Sequence, residues 1–478
     1  MALKPSSTSL IALCLAVSAS LFFLGTGLAP VWTLVWLAPI PVLWLAPRIP
    51  ASAAFLIGAA AFGLGGLNEW YYIAMVAPLM VAILNAIVPA CIFGIAVVLF
   101  RSRVVRGQLW QAALIVPAFW VVYEYVTSIV SVHGTIGNIS YSQMNFLPIL
   151  QLAAVTGIWG ISFSMLFFAA VVASLLNADL LKQRKQILAL ACSAAIFFIC
   201  VFGYGFWRLA AMPKDTATVK VGLIASDDSD MLEAATTDEA QHLFERFGKK
   251  VQSLAGQGIQ VFVLPENSGP VTDASEHATD AMFEQLAEQT NAFIAVGVAR
   301  VTPKASWNQE RLYGPDGTLA GTYNKHHLLP PFENRFTPST TRTTVPEASG
   351  RWGLEICKDL DFPRLSREYS QDGVGLMLIP AWDFTMDGWL HGRMAIMRGV
   401  EGGFSIARSA KKSIVYATDD RGHVLGEKTT GFAPFTTVIT TIPVHHDATL
   451  YTRFGDWFAW LNIALLATLI GMPLVMRS

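Results

Sequence analysis

Three side chains in the second half of this 478-residue chain have the types and settings that acyl transfer requires. Cys357 ends the apolar run Trp352-Gly353-Leu354-Glu355-Ile356-Cys357 and is the only cysteine in the charged part of the chain. Glu266 ends the run Val261-Phe262-Val263-Leu264-Pro265-Glu266, and Lys325 lies in Tyr323-Asn324-Lys325-His326-His327-Leu328-Leu329-Pro330. A thiol attacks well once its pKa is lowered by a nearby cation. A carboxylate can take the thiol proton and later hand it to a leaving group. An ammonium can stabilise the oxygen that turns negative when a carbonyl is attacked, while lowering the thiol pKa. Base, cation and nucleophile are thus available at strand ends or just after turns, where side chains converge on one rim. Taken singly, each has a plainer role: a capped strand end for Glu266, a solvated loop lysine for Lys325, a core thiol for Cys357.

Further residues cluster near these three in sequence. Glu333, in Pro330-Pro331-Phe332-Glu333, is a second carboxylate eight residues after the lysine. Asp359, two after the cysteine, either accepts hydrogen bonds behind the nucleophile or caps a turn. Trp382, Phe384, Met386, Trp389 and Leu390 would be core in a soluble protein; beside a bilayer, Trp382, Phe384 and Trp389 could line an apolar acyl-chain pocket. His391 begins a helix with Met394, Ala395 and Arg398 and is read as packing or capping. No zinc-ligand spacing or Walker-type phosphate loop is present, and the polar part is acidic on balance, which argues against nucleic acid.

The elements that must position these groups alternate over 218–443. Residues 220–225 and 259–264 read as buried strands, and Leu243, Phe244, Phe247, Val251 and Leu254 recur between them at helical spacing. A helix over about 275–290 precedes the strand Phe293 to Val298, and Asp316-Gly317 marks a tight hairpin. A further strand runs from Gly375 to Ile379. Strand–helix alternation followed by strand pairs is the pattern of an α/β layered sandwich.

The rest of the chain is of another kind. Only 14% of residues are charged, against ~25% in ordinary soluble domains. Residues 1–207 hold just three of the 34 acidic side chains, Glu69, Glu124 and Asp179. Apolar runs at 9–25, 28–47, 51–67, 71–100, 109–129, 158–176, 187–207 and 457–476 approach or exceed the roughly 20 residues of helix that a bilayer core needs. The 71–100 run is long enough to tilt or to carry an extramembrane turn. Ala16-Val17-Ser18 has the form of a cleavage site, but six runs follow at once, so the first is read as an uncleaved span. The chain therefore divides into 1–207 with about seven spans, a polar domain at 218–443, and a last span at 457–476. With the N-terminus inside, Lys4, Arg48, Arg101, Arg103, Arg106, Lys182, Arg184, Lys185 and Arg477 lie on one side, and the loops at 26–27, 68–70 and 130–157 carry no Lys or Arg. By the positive-inside rule the polar domain, after seven spans, is extracytoplasmic. Cys14, Cys91, Cys192 and Cys200 fall in spans, leaving Cys357 without a neighbour to pair with. A transporter would carry facing charges in several spans; only Glu124 qualifies.

The order Glu, Lys, Cys, in the runs quoted above, resembles the nitrilase (carbon–nitrogen hydrolase) superfamily over essentially all of 218–443. The resemblance implies an α/β sandwich, four-layered where two domains pair, an acyl-enzyme on Cys357, and Glu333 as an additional glutamate orienting Lys325. Glu401 and Arg408 resemble recurrent structural positions of that superfamily. Gly134-Thr135-Ile136-Gly137-Asn138-Ile139-Ser140-Tyr141-Ser142-Gln143, Leu150-Gln151-Leu152-Ala153, Gly157-Ile158-Trp159-Gly160-Ile161-Ser162-Phe163, and Trp120 with Glu124 resemble the membrane part of the apolipoprotein N-acyltransferase family. Together these imply a multi-span helical bundle bearing a nitrilase-like domain in the cytoplasmic (inner) membrane. They also imply a phospholipid acyl donor and the α-amine of a lipoprotein diacylglyceryl-cysteine as acceptor. Neither metal nor organic cofactor is expected, and a monomer is. The chain departs from that family in having Lys358 and Asp359 where an aromatic and Glu usually follow the nucleophile, and Pro331-Phe332-Glu333 for Phe-Gly-Glu. The other reading is a membrane-anchored amidase or nitrilase-type hydrolase, in which water replaces the amine.

Overall fold

In the computed structural model, residues 7–211, 216–228, 233–431 and 435–475 are described; Lys4, Lys214 and Arg477 lie outside them. The chain forms two units, one of residues 1–131, 135–210 and 456–478, the other of 132–134 and 211–455.

The first unit is helical. Six helices among the described residues are long and apolar enough to cross a membrane: Thr8–Gly25, Ala51–Asn68, Leu79–Val105, Leu109–Val130, Ile158–Asn177 and Arg184–Ala210. Two of the eight expected spans are interrupted, the first against expectation and the second in line with the turn its length suggested. The 28–47 run is broken into Leu34–Leu37, Ile40–Leu45 and a 3-10 turn at 46–48, because Pro39 and Pro41 remove backbone donors from the middle of the segment. The 71–100 run is cut at Pro78 into Trp70–Val76 and Leu79–Val105. The last run forms the helix Trp457–Val475, described closely enough to assess only to Gly471. The uncharged loop is largely buried, and several of its polar atoms are paired, although Asn138 Nδ2 and Ser140 Oγ have no partner among the described residues. Ile139 N donates to Glu124 Oε1 at 2.9 Å, Ser162 Oγ to Asn138 Oδ1 at 3.1 Å, and Trp36 Nε1 to Gln143 Oε1 at 2.8 Å. In a segment shielded from water such pairing offsets the cost of burial.

The second unit holds two sheets. One has the order β13 (Thr436–Pro443), β1 (Thr218–Ala225), β2 (Val261–Val263), β4 (Phe293–Val301), β5 (Ser306–Tyr313), β6 (Leu319–Asn324), with β3 (Pro270–Thr272) beside β4. The other has the order β12 (Val424–Thr429), β11 (Ile414–Thr418), β10 (Ser405–Lys411), β9 (Val374–Trp382), β8 (Gly350–Leu354), β7 (Thr343–Glu347). The sheets face each other, with Ser409 Oγ of β10 donating to Ile224 O of β1 at 2.8 Å and the Phe293 and Trp352 rings 5.0 Å apart. Helices Thr237–Gln252 and Glu276–Thr290 bury Leu243, Phe244, Phe247, Val251, Phe283 and Leu286 against the outer face of the first sheet. Thr236 and Glu239 close a capping box at the start of the first of these helices. Pro363–Gln371 and Gly388–Gly402 cover the second sheet. Helix, sheet, sheet and helix make four layers within one chain, so no second domain is needed to complete them. Central parallel strands aim their C-terminal ends at one rim, where ligands of open α/β sheets bind.

Candidate active site

Glu266 stands just beyond β2, on a segment stitched to β4. Gly297 N donates to Pro265 O at 3.1 Å and Ser268 N to Gly297 O at 2.9 Å. The approach is so close that a Cβ on Gly297 would lie 2.5 Å from Glu266 Cα. Lys325 follows β6, its backbone N–H donating to Asn308 O of β5 at 2.9 Å. Its ammonium lies 2.7 Å from Glu266 Oε1 and 2.9 Å from Glu333 Oε2. Asn308 Nδ2 donates to both carboxylates at 2.6 Å, and Leu329 N donates to Glu333 Oε2 at 2.7 Å, fixing that side chain to its own loop.

Two buried carboxylates therefore share one buried ammonium. Burial opposes the charge on Lys325, but Glu266 and Glu333 raise its pKa well above the ordinary value. Burial raises the pKa of Glu266, Lys325 opposes the rise and Glu333 adds to it. We take the lysine as charged and Glu266 as a weaker acid than a free carboxylate, because burial and the Glu333 charge outweigh the pull of Lys325.

Cys357 sits past the end of β8 with φ +44°, a left-handed conformation rare outside Gly and Asn, and it opens the short turn 357–361. That conformation costs on the order of 1–3 kcal/mol and persists only where the surroundings impose it. Sγ lies 3.6 Å from Trp382 O and 3.7 Å from Asp383 Oδ1. Asp383 in turn accepts from Arg408 Nη2 at 2.7 and 2.8 Å. The expectation that Lys325 leaves the thiol pKa low is corrected here. Lys325 and Arg408 do lower it, but burial, Glu266 and Asp383 raise it further, so the net shift is well upward. The resting group is a thiol that needs a base.

Asp359 is fully buried and accepts from Tyr323 Oη at 2.6 Å, His327 N at 2.7 Å and His327 Nδ1 at 3.0 Å. It thus clamps the residues on either side of Lys325 rather than merely capping its own turn. Glu266, Lys325, Glu333 and Cys357 all line one cavity of about 360 Å3, with Trp382 and Phe384 in its wall. Trp389 is not in that wall, contrary to expectation. It occupies the first turn of its helix, and its ring instead meets the Arg393 guanidinium four residues on, 5.8 Å away. Phe332 packs on Phe384 with ring centroids 5.2 Å apart, and Leu329 and Phe336 join the lining.

His391 also lines the cavity. Nδ1 lies 3.0 Å from Asp387 and 3.8 Å from Asp383, and Nε2 3.5 Å from Asp361. Burial would lower its pKa, but Asp361 and Asp387 raise it well above the ordinary value, making it an imidazolium. Sequence spacing offered only the Asp387–His391 pair, four residues apart, and gave no sign of Asp361 or Asp383. Asp383 and Asn308 were missed for the same reason. The only available hint was that both follow or interrupt apolar strands.

Residues 18–171 match the apolipoprotein N-acyltransferase N-terminal domain family, and residues 231–430 match the carbon-nitrogen hydrolase family. The apolipoprotein N-acyltransferase of Geobacter metallireducens is 25% identical over 99% of this chain and 96% of its own length. That of Haemophilus ducreyi is 22% identical over 92% of each. Among solved structures, Saccharomyces cerevisiae Nit3, a member of branch 10 of the nitrilase superfamily, aligns with 49% of this chain and 93% of its own at 22% identity and a TM-score of 0.40. Both family domains occur in order on one chain whose relatives match it from end to end. The chain is similar along its length to the apolipoprotein N-acyltransferases, carries a carbon–nitrogen hydrolase domain, and is an acyltransferase.

Proposed function

We propose that this protein moves a fatty acyl chain from a phospholipid to the N-terminal amine of a lipoprotein diacylglyceryl-cysteine, through a thioester on Cys357. The observation that carries the reading is the convergence of Glu266, Lys325 and Cys357 on a cavity walled by Trp382, Phe384 and Phe332. Because the thiol pKa is raised, proton removal and attack go together: Glu266 takes the thiol proton as Sγ adds to the ester carbonyl. Lys325 donates to the oxygen that becomes negative. Glu266 protonates the departing lysophospholipid. In the second half the amine adds to the thioester, Glu266 takes its proton, and the thiolate leaves and recovers it. Glu333 and Asn308 hold the lysine and base in register. The aromatic wall keeps water from the thioester, which favours the amine over hydrolysis. The acceptor, donor, periplasmic placement and inner-membrane location rest on this reading, which the named relatives and the charge asymmetry of the loops support.

Incubation with phospholipid alone should add the mass of one acyl chain to Cys357, and none to Cys357→Ala. A diacylglyceryl peptide with a free amine should discharge the adduct, whereas the same peptide with a blocked amine should not. An adduct that decays equally fast with either peptide would establish a hydrolase instead.

A further inference from the structure

One lysine in the cavity wall has no part in that scheme. Lys358 directly follows the nucleophile, is 2% exposed, and lines the cavity. Its nearest polar partner is a neutral ring: Nζ lies 3.2 Å from His133 Nδ1, while the Asp361 carboxylate is 3.7 Å away. The Phe362 ring centroid is 5.3 Å from Nζ. His133 belongs to the segment 132–134 that groups with this unit, and it is only half-buried. A lysine held as a mere counter-charge would be expected in direct contact with its carboxylate, as Lys325 is.

The charged groups around Lys358 come from every side. Burial lowers its pKa most; Asp361 raises it, Lys325 lowers it, and Cys357 and Glu333 raise it, with a net downward shift. His391 acts at one remove through Asp361. Burial and Lys358 likewise lower the pKa of His133, keeping that ring an acceptor. An anion site is disfavoured, because Glu266, Glu333, Asp383 and Asp361 surround the same space.

The acceptor poses a requirement that Glu266 does not meet. An α-amine has a pKa of about 7.7–8.0, so at pH 7 roughly nine in ten acceptors arrive as ammonium, with no lone pair to attack. Resting on the acyl-transfer reading above, we propose that Lys358, as a neutral amine seated against His133 Nδ1, takes one proton from the incoming α-ammonium and passes it through His133 to water. The N–H bond of the ammonium breaks as one forms on Lys358 Nζ, leaving a neutral amine in the cavity. The amine adds to the thioester, so that C–N forms and C–S breaks. The second amine proton goes to Glu266 and from there to the thiolate. Lys358 gives its extra proton to His133 Nδ1, and His133 releases one from Nε2. One proton reaches solvent per turnover, and every group returns to its starting state once His133 exchanges its Nδ1 proton for one on Nε2 through water.

The test uses the full chain, loaded with phospholipid and followed as the acyl adduct on Cys357. Two nucleophiles discharge it: the diacylglyceryl peptide, and hydroxylamine, which is already neutral at pH 7. The quantity read is the ratio of the two discharge rates per acyl-enzyme. In Lys358→Met the ratio should fall about tenfold at pH 7 and return to the wild-type value by about pH 9, where the peptide amine is neutral unaided. Lys358→Arg should behave likewise, since a guanidinium keeps the charge but accepts no proton. A wild-type ratio at pH 7 in either variant overturns the proposal, as does a defect equal at both pH values. A variant that forms no adduct while the wild type does also overturns it, by putting the lysine in the first half-reaction. If the wild-type protein itself forms no adduct, it is the thioester reading that fails.

Discussion

At the scale of single residues, the site works with weak acids brought close rather than with a standing thiolate. Burial raises the pKa of both Cys357 and Glu266, so the carboxylate is a stronger base than a free one while the thiol is not ionised in advance. Glu266→Gln should therefore slow adduct formation by about 10²–10⁴, because an amide accepts no proton. Lys325→Ala removes one oxyanion donor and should cost about 10²–10³ in the rate of adduct formation, measured by rapid quench. An unchanged rate in Lys325→Ala would return that lysine to a structural role. The pH profile has a definite sign. A raised Glu266 pKa means the base form is lost, as pH falls, above the ordinary carboxylate range, so adduct formation should decline at a higher pH than a free carboxylate would dictate.

At the scale of elements, the site depends on how closely strands approach. Gly297→Ala would set a Cβ 2.5 Å from Glu266 Cα and 2.7 Å from Pro265 O, both backbone atoms that cannot swing away. The segment after β2 must shift, so this variant should lose both thermal stability and adduct formation, although it touches no substrate. Full activity with a normal melting temperature would show the segment to be pliable. The sequence was most readable where pattern and punctuation agree. The β5–β6 hairpin around Asp316-Gly317 and the helix Glu276–Thr290 lie close to where their residues suggested. It was least readable where the cause is three-dimensional. Hydropathy ran through 28–47 as one span because an average does not register that Pro39 and Pro41 interrupt the helix. Phe332 and Phe336 were not picked out as wall residues, and Trp389 was, because nothing local tells which side of a turn faces a cavity. The left-handed backbone at Cys357 and the approach of Asp361 and Asp383 to His391 are products of assembly and leave no trace in spacing.

At the scale of the whole molecule, the second unit keeps acids it does not pair. Glu310 of β5 is fully buried, and neither carboxylate oxygen has a hydrogen-bond partner among the described residues. Burial first, then Glu355 and Asp359, raise its pKa well above the usual value. The folded state thus holds a proton that the unfolded chain releases, and stability falls as pH rises from the ordinary carboxylate pKa toward the folded one. Glu310→Gln should raise the melting temperature at pH 8, with the gain shrinking toward pH 4; a gain independent of pH would contradict the linkage. Orientation is a property of the same scale. Basic residues gather at Arg48, Arg101, Arg103, Arg106, Lys182, Arg184 and Lys185, and the loop 130–157 has none. A membrane-impermeant thiol reagent on intact spheroplasts should therefore label Cys357. Labelling only after the membrane is opened would reverse the orientation.

The catalytic unit leaves the helical one at Ala211 and rejoins it at Asp456, between the membrane-length helix Arg184–Ala210 and the apolar helix that starts at Trp457. An enzyme held this way does not sample its lipid from bulk solution. It meets donor at an effective concentration set by the surface around it. Its kinetics should consequently show surface dilution. Adding inert detergent at constant total phospholipid should slow adduct formation in proportion to the fall in donor mole fraction. Adding more mixed micelles of fixed composition, once the enzyme is fully incorporated, should leave the rate where it was.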